Sequence, residues 1–106
     1  MQGVAISHAE KLPLDTLAAG LRGCWPVFEP ALLGALARIK AGRYEADENT
    51  PATVATCHAS VRHVLAMSKE HGIDLGLPEA LDRVFQRASD AGRDQDDLAA
   101  VYMALR

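Results

Sequence analysis

The chain has 106 residues, a mass of 11.4 kDa and a formal net charge of −3 at pH 7, so we expect one domain and no basic surface for nucleic acid. Hydrophobic residues make up 49% of the chain and aromatic residues only 5%, which is typical of helices packed through Ala, Leu and Val. The sequence shows neither a signal-peptide pattern nor an apolar run of the ~20 residues that cross a membrane, and we therefore expect a cytoplasmic protein with reduced thiols at Cys24 and Cys57.

The first part of the chain predicts a lead-in and two helices. Residues 1–12 have no sustained apolar period and are predicted to be a loop or a frayed lead-in. A first helix is predicted over about Pro13–Arg22, with a glycine as its stop. A second helix ends at Gly42, but Pro26 and Pro30 conflict with an unbroken helix, so we expect it to kink near Pro30 or to begin there. Its apolar residues, spaced three or four apart, are Trp25, Phe28, Leu32, Leu36 and Ile39.

A third helix, predicted over about Pro51–His71, has two uncharged faces. Thr50 is its expected N-cap, and Gly72 is its expected stop. One arc indicates the core face and contains Val54, Cys57, Val61, Val64, Leu65 and Ser68. The opposite side carries small or semi-polar residues, namely Thr56, Ala59, Ser60, His63 and Met67. We therefore expect this helix to be contacted from both sides.

The last third predicts a pair of helices. Pro78 opens the fourth helix and Gly92 ends it. Asp94 is the expected cap of a fifth helix that runs to the end of the chain. Because no strand pattern occurs, the predicted fold class is all-α, a bundle of about five helices in a single domain over residues 1–106.

The residues that could carry chemistry do not form a complete site. His58 and His63 are five residues apart and face different sides of the third helix, and no CxxC or HxxxH pair occurs, so a metal site is not expected. Cys57 and His58 also face different sides, which argues against a nucleophile with its base. No glycine-rich phosphate loop or βαβ pattern is present, and the chain alone is not expected to bind a dinucleotide.

The sequence is compatible with two roles for each of two further side chains, His63 and Trp25. His63 either makes a hydrogen bond at a helix contact or lines a pocket or a partner surface. Trp25 is either a core anchor or the wall of a cleft.

From the third helix onward, several short segments resemble a known family. In chain order these are Ala59-x-Val61-x-His63, Ser68, Gly72-Ile73-Asp74, Leu77-Pro78, Arg87-Ala88, Ala91-Gly92 and Asp96-Asp97-Leu98-Ala99-Ala100, followed by Leu105-Arg106. Their order and spacing resemble the C-terminal helical domain of NADPH-dependent imine reductases and reductive aminases. That family belongs to the β-hydroxyacid dehydrogenase superfamily, and the resemblance implies a 6-phosphogluconate-dehydrogenase-like C-terminal fold. The hydroxyacid branch fits less well, since it usually has a Lys-Asp pair where this chain has Ala59-Ser60.

The resemblance implies a reciprocal dimer of two-domain subunits. In such enzymes a Rossmann domain binds NADPH, a long helix follows, and the helical domain of one subunit closes the cleft over the cofactor domain of the other. Hydride would pass from NADPH to a C=N or C=O carbon. The Rossmann domain and the Asp or Tyr proton donor lie outside these residues, so no catalytic residue is assigned to this chain. By hypothesis its contribution to the cleft or to the dimer contact is Trp25, Thr56, Ser60, His63 and Met67.

The leading interpretation is therefore a dimerisation and substrate-cleft domain that is not catalytic alone and pairs with a second copy or with a Rossmann-domain partner. The alternative is a non-enzymatic helical dimer that serves as an interaction or small-molecule binding module. A third interpretation is an independent enzyme whose activity depends on His63 or Cys57.

Overall fold

The computed structural model describes residues 1–106 as five α-helices and one 3₁₀ turn, without a sheet. The all-α fold class is thus confirmed. The elements are α1 (Gln2–Ala9), α2 (Leu14–Ala41), α3 (Val54–Glu70), α4 (Gly76–Asp90), the 3₁₀ turn (Leu98–Ala100) and α5 (Val101–Ala104). None of these helices combines the length and the apolar character needed to cross a membrane.

Residues 1–12 contain a helix, α1, and the prediction of a loop or frayed lead-in is wrong. The sequence does not indicate this helix because the segment has almost no amphipathic pattern, and Ile6 is its only buried residue. A helix of 8 residues is marginal in water on its own, so it must be stabilised by the rest of the fold.

Polar contacts at both ends hold α1 against the end of α3. The side-chain amide of Gln2 donates to the hydroxyl of Ser68 at 2.8 Å and to the carbonyl oxygen of Asp74 at 2.9 Å. At the other end, Nε2 of His71 lies 2.6 Å from Oε1 of Glu10. These partners are more than 60 residues away in sequence, which is why local patterns did not predict the helix.

The two helices predicted between Pro13 and Gly42 are one helix, α2, of 28 residues. It runs through Pro26 and Pro30 without ending, so the predicted start at Pro30 is wrong, and the alternative of a kink near Pro30 stays a prediction. Each proline removes the donor for the carbonyl one turn earlier, but residues 19–30 are all exposed, and those carbonyls can bond water. α2 ends as predicted at Gly42, which adopts a left-handed φ of 66°.

α3 begins later than predicted, with Thr53 and not Thr50 as its N-cap. The backbone N–H of Thr56 donates to the Thr53 hydroxyl at 3.3 Å. The preceding residues stay extended because they bond to the chain that follows α4: the Leu98 N–H donates to the Ala52 carbonyl at 3.1 Å, and the Val54 N–H donates to the Asp96 carbonyl at 3.0 Å.

The predicted fifth helix is also shorter and starts later. Asp97, not Asp94, caps the 3₁₀ turn by accepting the Ala99 N–H at 2.8 Å, and only Val101–Ala104 is α-helical after it. The N–H of Asp97 donates to the carbonyl of Tyr44 at 2.8 Å, so this residue serves a long-range contact that keeps it out of a helix.

The core is small and lies where α3, α4 and the C-terminal turn meet. It is made of Val54, Phe85, Ala88 and Ala100. Half-buried side chains that pack against it are Tyr44, Cys57, Val61, Leu98, Val101 and Ala104. α2 packs on α1 and on the 3₁₀ turn, and its central part projects away from this core.

Candidate functional site

One side of α2 presents a continuous row of large apolar side chains to solvent. At 100° per residue, the members of this row fall within one arc of about 80°. They are 51–63% exposed. We call them the α2 stripe: Leu21, Trp25, Phe28, Leu32 and Leu36. Large exposed apolar surfaces are generally found where a protein meets a partner or a ligand.

The five site residues predicted from the sequence lie on two separate surfaces. Trp25 belongs to the α2 stripe and lines a shallow hollow of about 320 Å³ with Leu21 and Arg22. The other four lie on α3, and none of them lines that hollow. The structure of one chain therefore does not bring Trp25 together with Thr56, Ser60, His63 and Met67.

The α3 residues form an exposed face without charge. Thr56, Ser60 and His63 are exposed, and Met67 is half-buried. The two hydroxyls are used locally, since Thr56 Oγ1 lies 3.0 Å from Thr53 Oγ1 and the Ser60 hydroxyl is 3.4 Å from the Thr56 carbonyl oxygen. His63 makes no hydrogen bond or ion pair within the chain, so both of its ring nitrogens are free to meet a ligand or a partner.

The other side of α3 carries a buried histidine that binds α4. The ring of His58 stacks on Phe85 with centroids 5.6 Å apart, and its Nε2 lies 2.7 Å from Oδ1 of Asp82. Arg62 Nε is 3.4 Å from the same oxygen. The hydrogen bond from His58, followed by that from Arg62, holds the pKa of Asp82 below its usual range.

The sequence suggests only two roles for His58, a metal ligand or a base. Its spacing of four residues from the buried Val54 was the signal for a core position. Its ring nitrogen is committed to Asp82, and the structure brings no three His, Cys, Asp or Glu side chains together in a way that could hold a metal ion.

Cys57 lies half-buried beside the core, where burial raises the pKa of its thiol and the charge of Asp97 raises it further. The thiolate, which is the nucleophilic form, is therefore disfavoured at this position. This argues against the third interpretation, in which Cys57 would carry an independent activity.

A buried ion pair anchors the C-terminal end of α2. Arg38 is 7% exposed and Asp97 is 2% exposed, with Nε of Arg38 3.1 Å from Oδ2 of Asp97. The contact is an ion pair and not an aligned hydrogen bond, since Oδ2 has no hydrogen-bond partner. The same guanidinium pairs with the Asp47 carboxylate and donates to the Glu45 carbonyl at 3.2 Å. Sequence reasoning missed this anchor because its two charges are 59 positions apart.

The helix N-termini of α3 and α4 are already occupied by side chains of the chain itself. The Thr53 hydroxyl caps α3, and Oδ1 of Asp74 accepts the N–H of Gly76 at 2.9 Å. Such ends are where a dinucleotide pyrophosphate usually binds, and a carboxylate in that place repels phosphate. These two helix ends therefore do not fit the phosphates of a dinucleotide.

Comparison with known proteins adds two findings. A family model described as the NADPH-dependent reductive aminase-like C-terminal domain matches residues 1–106. A search of curated protein sequences gave no match.

Several solved structures contain a domain similar to this chain. An imine reductase from Myxococcus stipitatus, in complex with NADP⁺, superposes with a TM-score of 0.93 at 32% identity; the match covers 99% of this chain and 36% of that protein. An imine reductase from Bacillus cereus superposes with a TM-score of 0.79 at 24% identity, and the match covers 98% of this chain and 35% of that protein. An imine reductase from Pseudomonas superposes with a TM-score of 0.84 at 18% identity, and the match covers 99% of this chain and 35% of that protein. At these identities, the last two matches show the fold alone. The chain thus spans about a third of the length of these proteins.

Proposed function

Because the chain belongs to the family of NADPH-dependent reductive aminase-like C-terminal domains, we propose that it serves as the dimerisation and substrate-cleft domain of an imine-reductase-like oxidoreductase. The family expected from the sequence is confirmed over the whole chain. In the proposal, α2 binds a second subunit, the uncharged face of α3 borders the substrate, and a Rossmann domain supplies NADPH. The observation that carries the proposal is the exposed α2 stripe.

The area of exposed surface supports a missing partner. The chain exposes 7278 Å², about 1,500 Å² more than the roughly 5,800 Å² expected of a compact monomer of its mass. Stable interfaces bury about 800 Å² on each side, and obligate ones more. The radius of gyration, 15.1 Å, also exceeds the roughly 13 Å expected for a compact chain of this length. The excess is large enough for an obligate interface.

The second face of α3 supports the cleft role. α4 covers the side of α3 that carries His58, while Thr56, Ser60 and His63 remain uncovered on the other side. Surfaces that bind small organic substrates combine apolar contacts with a few polar groups. Met67 provides an apolar contact and the free imidazole of His63 provides a polar group. Trp25 from a neighbouring subunit would add an aromatic wall.

Because the N-termini of α3 and α4 already bond to side chains of the chain itself, we assign the cofactor to the Rossmann domain and no step of hydride transfer to this chain. When bound there, NADPH supplies the hydride. This chain would close over the cleft, exclude water and shape specificity.

A chimera tests the enzymatic half of the proposal. The chain would replace the matching C-terminal region of the Myxococcus stipitatus imine reductase, and NADPH-dependent imine reduction would be measured beside the isolated chain. We expect turnover by the chimera, and neither turnover nor NADPH binding by the chain alone in calorimetry. Within the chimera, His63→Ala and Met67→Ala should each raise KM by roughly tenfold, as expected for the loss of a pocket contact.

Lys69→Ala, an exposed change on the flank of the same helix, is the matched control and should leave KM unchanged. Measurable NADPH affinity of the isolated chain would contradict the assignment of cofactor binding to the Rossmann domain. An inactive chimera that is folded and dimeric would favour the alternative of a non-enzymatic binding module. Unchanged KM in both α3 variants would remove the cleft assignment.

A further inference from the structure

The exposed part of α2 follows a seven-residue repeat. Leu14, Leu21 and Phe28 are seven residues apart, and Trp25 and Leu32 follow four residues after the last two. This is the alternation of two apolar positions that forms the seam of a two-helix coiled coil. Pro26 and Pro30 fall at the positions of the repeat that point away from the seam, where a proline ring does not obstruct a second helix.

Two opposite charges flank this seam. Arg22 and Glu29 are the only charged residues between Thr16 and Ala37. Both are exposed, and neither makes an ion pair within the chain. They are seven residues apart and therefore occupy the same position of the repeat, beside Leu21 and Phe28 respectively.

Equivalent flanking positions meet each other only when two helices run antiparallel. In a parallel pair, a flanking residue meets the flanking position of the other kind on its neighbour. An antiparallel pair with its two-fold axis near Pro26 places Arg22 beside Glu29 of the partner subunit, and the symmetry repeats the pair on the other side of the axis. In the same register, Trp25 faces Phe28 of the partner subunit and Leu21 faces Leu32 of the partner subunit.

We propose that two copies of this chain pair through antiparallel α2 helices, in the register set by two reciprocal Arg22–Glu29 ion pairs. The proposal rests on the dimer proposed above and specifies its partner surface and direction. The charge complementarity of α2 with itself identifies a second copy as the occupant of the stripe. A Rossmann domain seated there would have no reason to require these two charges to be opposite and one heptad apart.

Charge reversal tests the register. Light scattering and sedimentation would give the dimer dissociation constant of the full chain and of Arg22→Glu, Glu29→Arg and the double variant, at low salt. Each single reversal turns both attractive pairs into repulsive ones and should weaken the dimer by on the order of tenfold. The double reversal should restore the dimer, and an equimolar mixture of the two single variants should form the heterodimer in preference to either homodimer.

Arg83→Glu and Glu48→Arg make the same changes of net charge at exposed positions outside α2 and serve as controls. The differences in dissociation constant between the single variants and the wild-type chain should become smaller at about 1 M salt, where the Debye length is ~3 Å. A dimeric wild-type chain whose single variants associate equally well, or whose mixture shows no preference, would overturn the register and leave the proposed dimer standing. A monomeric wild-type chain would overturn both.

Discussion

Polar contacts between residues far apart in the sequence stabilise this small domain. His58 joins α3 to α4 through Asp82, and His71 joins α3 to α1 through Glu10. Each contact bonds an imidazole to a carboxylate from a distant part of the chain. The strength of both therefore depends on the charge of the carboxylate.

The Asp82 contact predicts how stability changes with pH. Because His58 and Arg62 lower the pKa of Asp82 in the folded state, its stabilising effect is present above the unfolded pKa, about 3.9, and is lost as pH falls through the folded value. Asp82→Asn should therefore reduce the free energy of unfolding at pH 6, and the difference from wild type should shrink as pH falls below about 4. Urea unfolding between pH 3 and pH 7 measures this.

Glu48→Gln, at an exposed loop position without a salt bridge, is the control and should follow wild type at every pH. A difference between Asp82→Asn and wild type that stays constant down to pH 3 would mean that the carboxylate charge is not what stabilises the contact.

Residue burial was predictable only where it follows from local spacing. Val54 and Ser68, which belong to the predicted core face of α3, are both buried. Arg38 was not predictable, since a buried arginine requires a buried partner, and its partner Asp97 comes from the far end of the chain. The placement of the α3 site residues on one exposed face followed from the same helical spacing, whereas their distance from Trp25 depends on tertiary structure.

The ends of the helices were predicted better than their starts. Gly42, Gly72 and Gly92 take positive φ angles of 66°, 64° and 77° where the sequence predicted stops, because a left-handed residue is a local requirement that glycine meets. The starts of α3 and of the C-terminal turn were wrong, since their caps depend on backbone bonds between segments more than 40 residues apart.

The continuity of α2 through two prolines predicts a gain of stability on their removal. Pro26→Ala and Pro30→Ala each restore a backbone donor and remove a clash one turn back, and a proline costs about 3 kcal/mol in a helix interior. We expect each change to raise the free energy of unfolding by up to about 3 kcal/mol, and to raise helicity in circular dichroism. Pro13→Ala, just before the first residue of α2, should gain far less. Loss of stability in both central variants would mean that the proline rings themselves are needed for packing.

The small core and the large surface of the molecule both support the partner proposed above. Only 11 of 106 residues are buried, and the largest apolar side chains of α2 lie outside the core. A chain of this length buries about two-thirds of its unfolded surface when compact, and this one buries less. The sequence indicated a need for a partner through two uncharged faces of α3, but the main exposed surface is on α2. The sequence predicts two shorter helices where the structure has this single one.

If association supplies part of the core, the thermal stability of the chain must depend on its concentration. Dissociation accompanies unfolding of a dimer, so each tenfold rise in concentration adds about 1.4 kcal/mol to the stability of the dimer. For a unit of about 200 residues this corresponds to a rise in Tm of roughly 3–6 °C. Scanning calorimetry over two decades of concentration should show this rise for the wild-type chain.

Leu32→Glu, which places a charge in the α2 stripe, should have a lower Tm that is independent of concentration. Ala66→Glu, at an exposed position on α3, is the control and should keep the wild-type dependence. A wild-type Tm that does not change with concentration would mean that the folded chain is stable without covering α2.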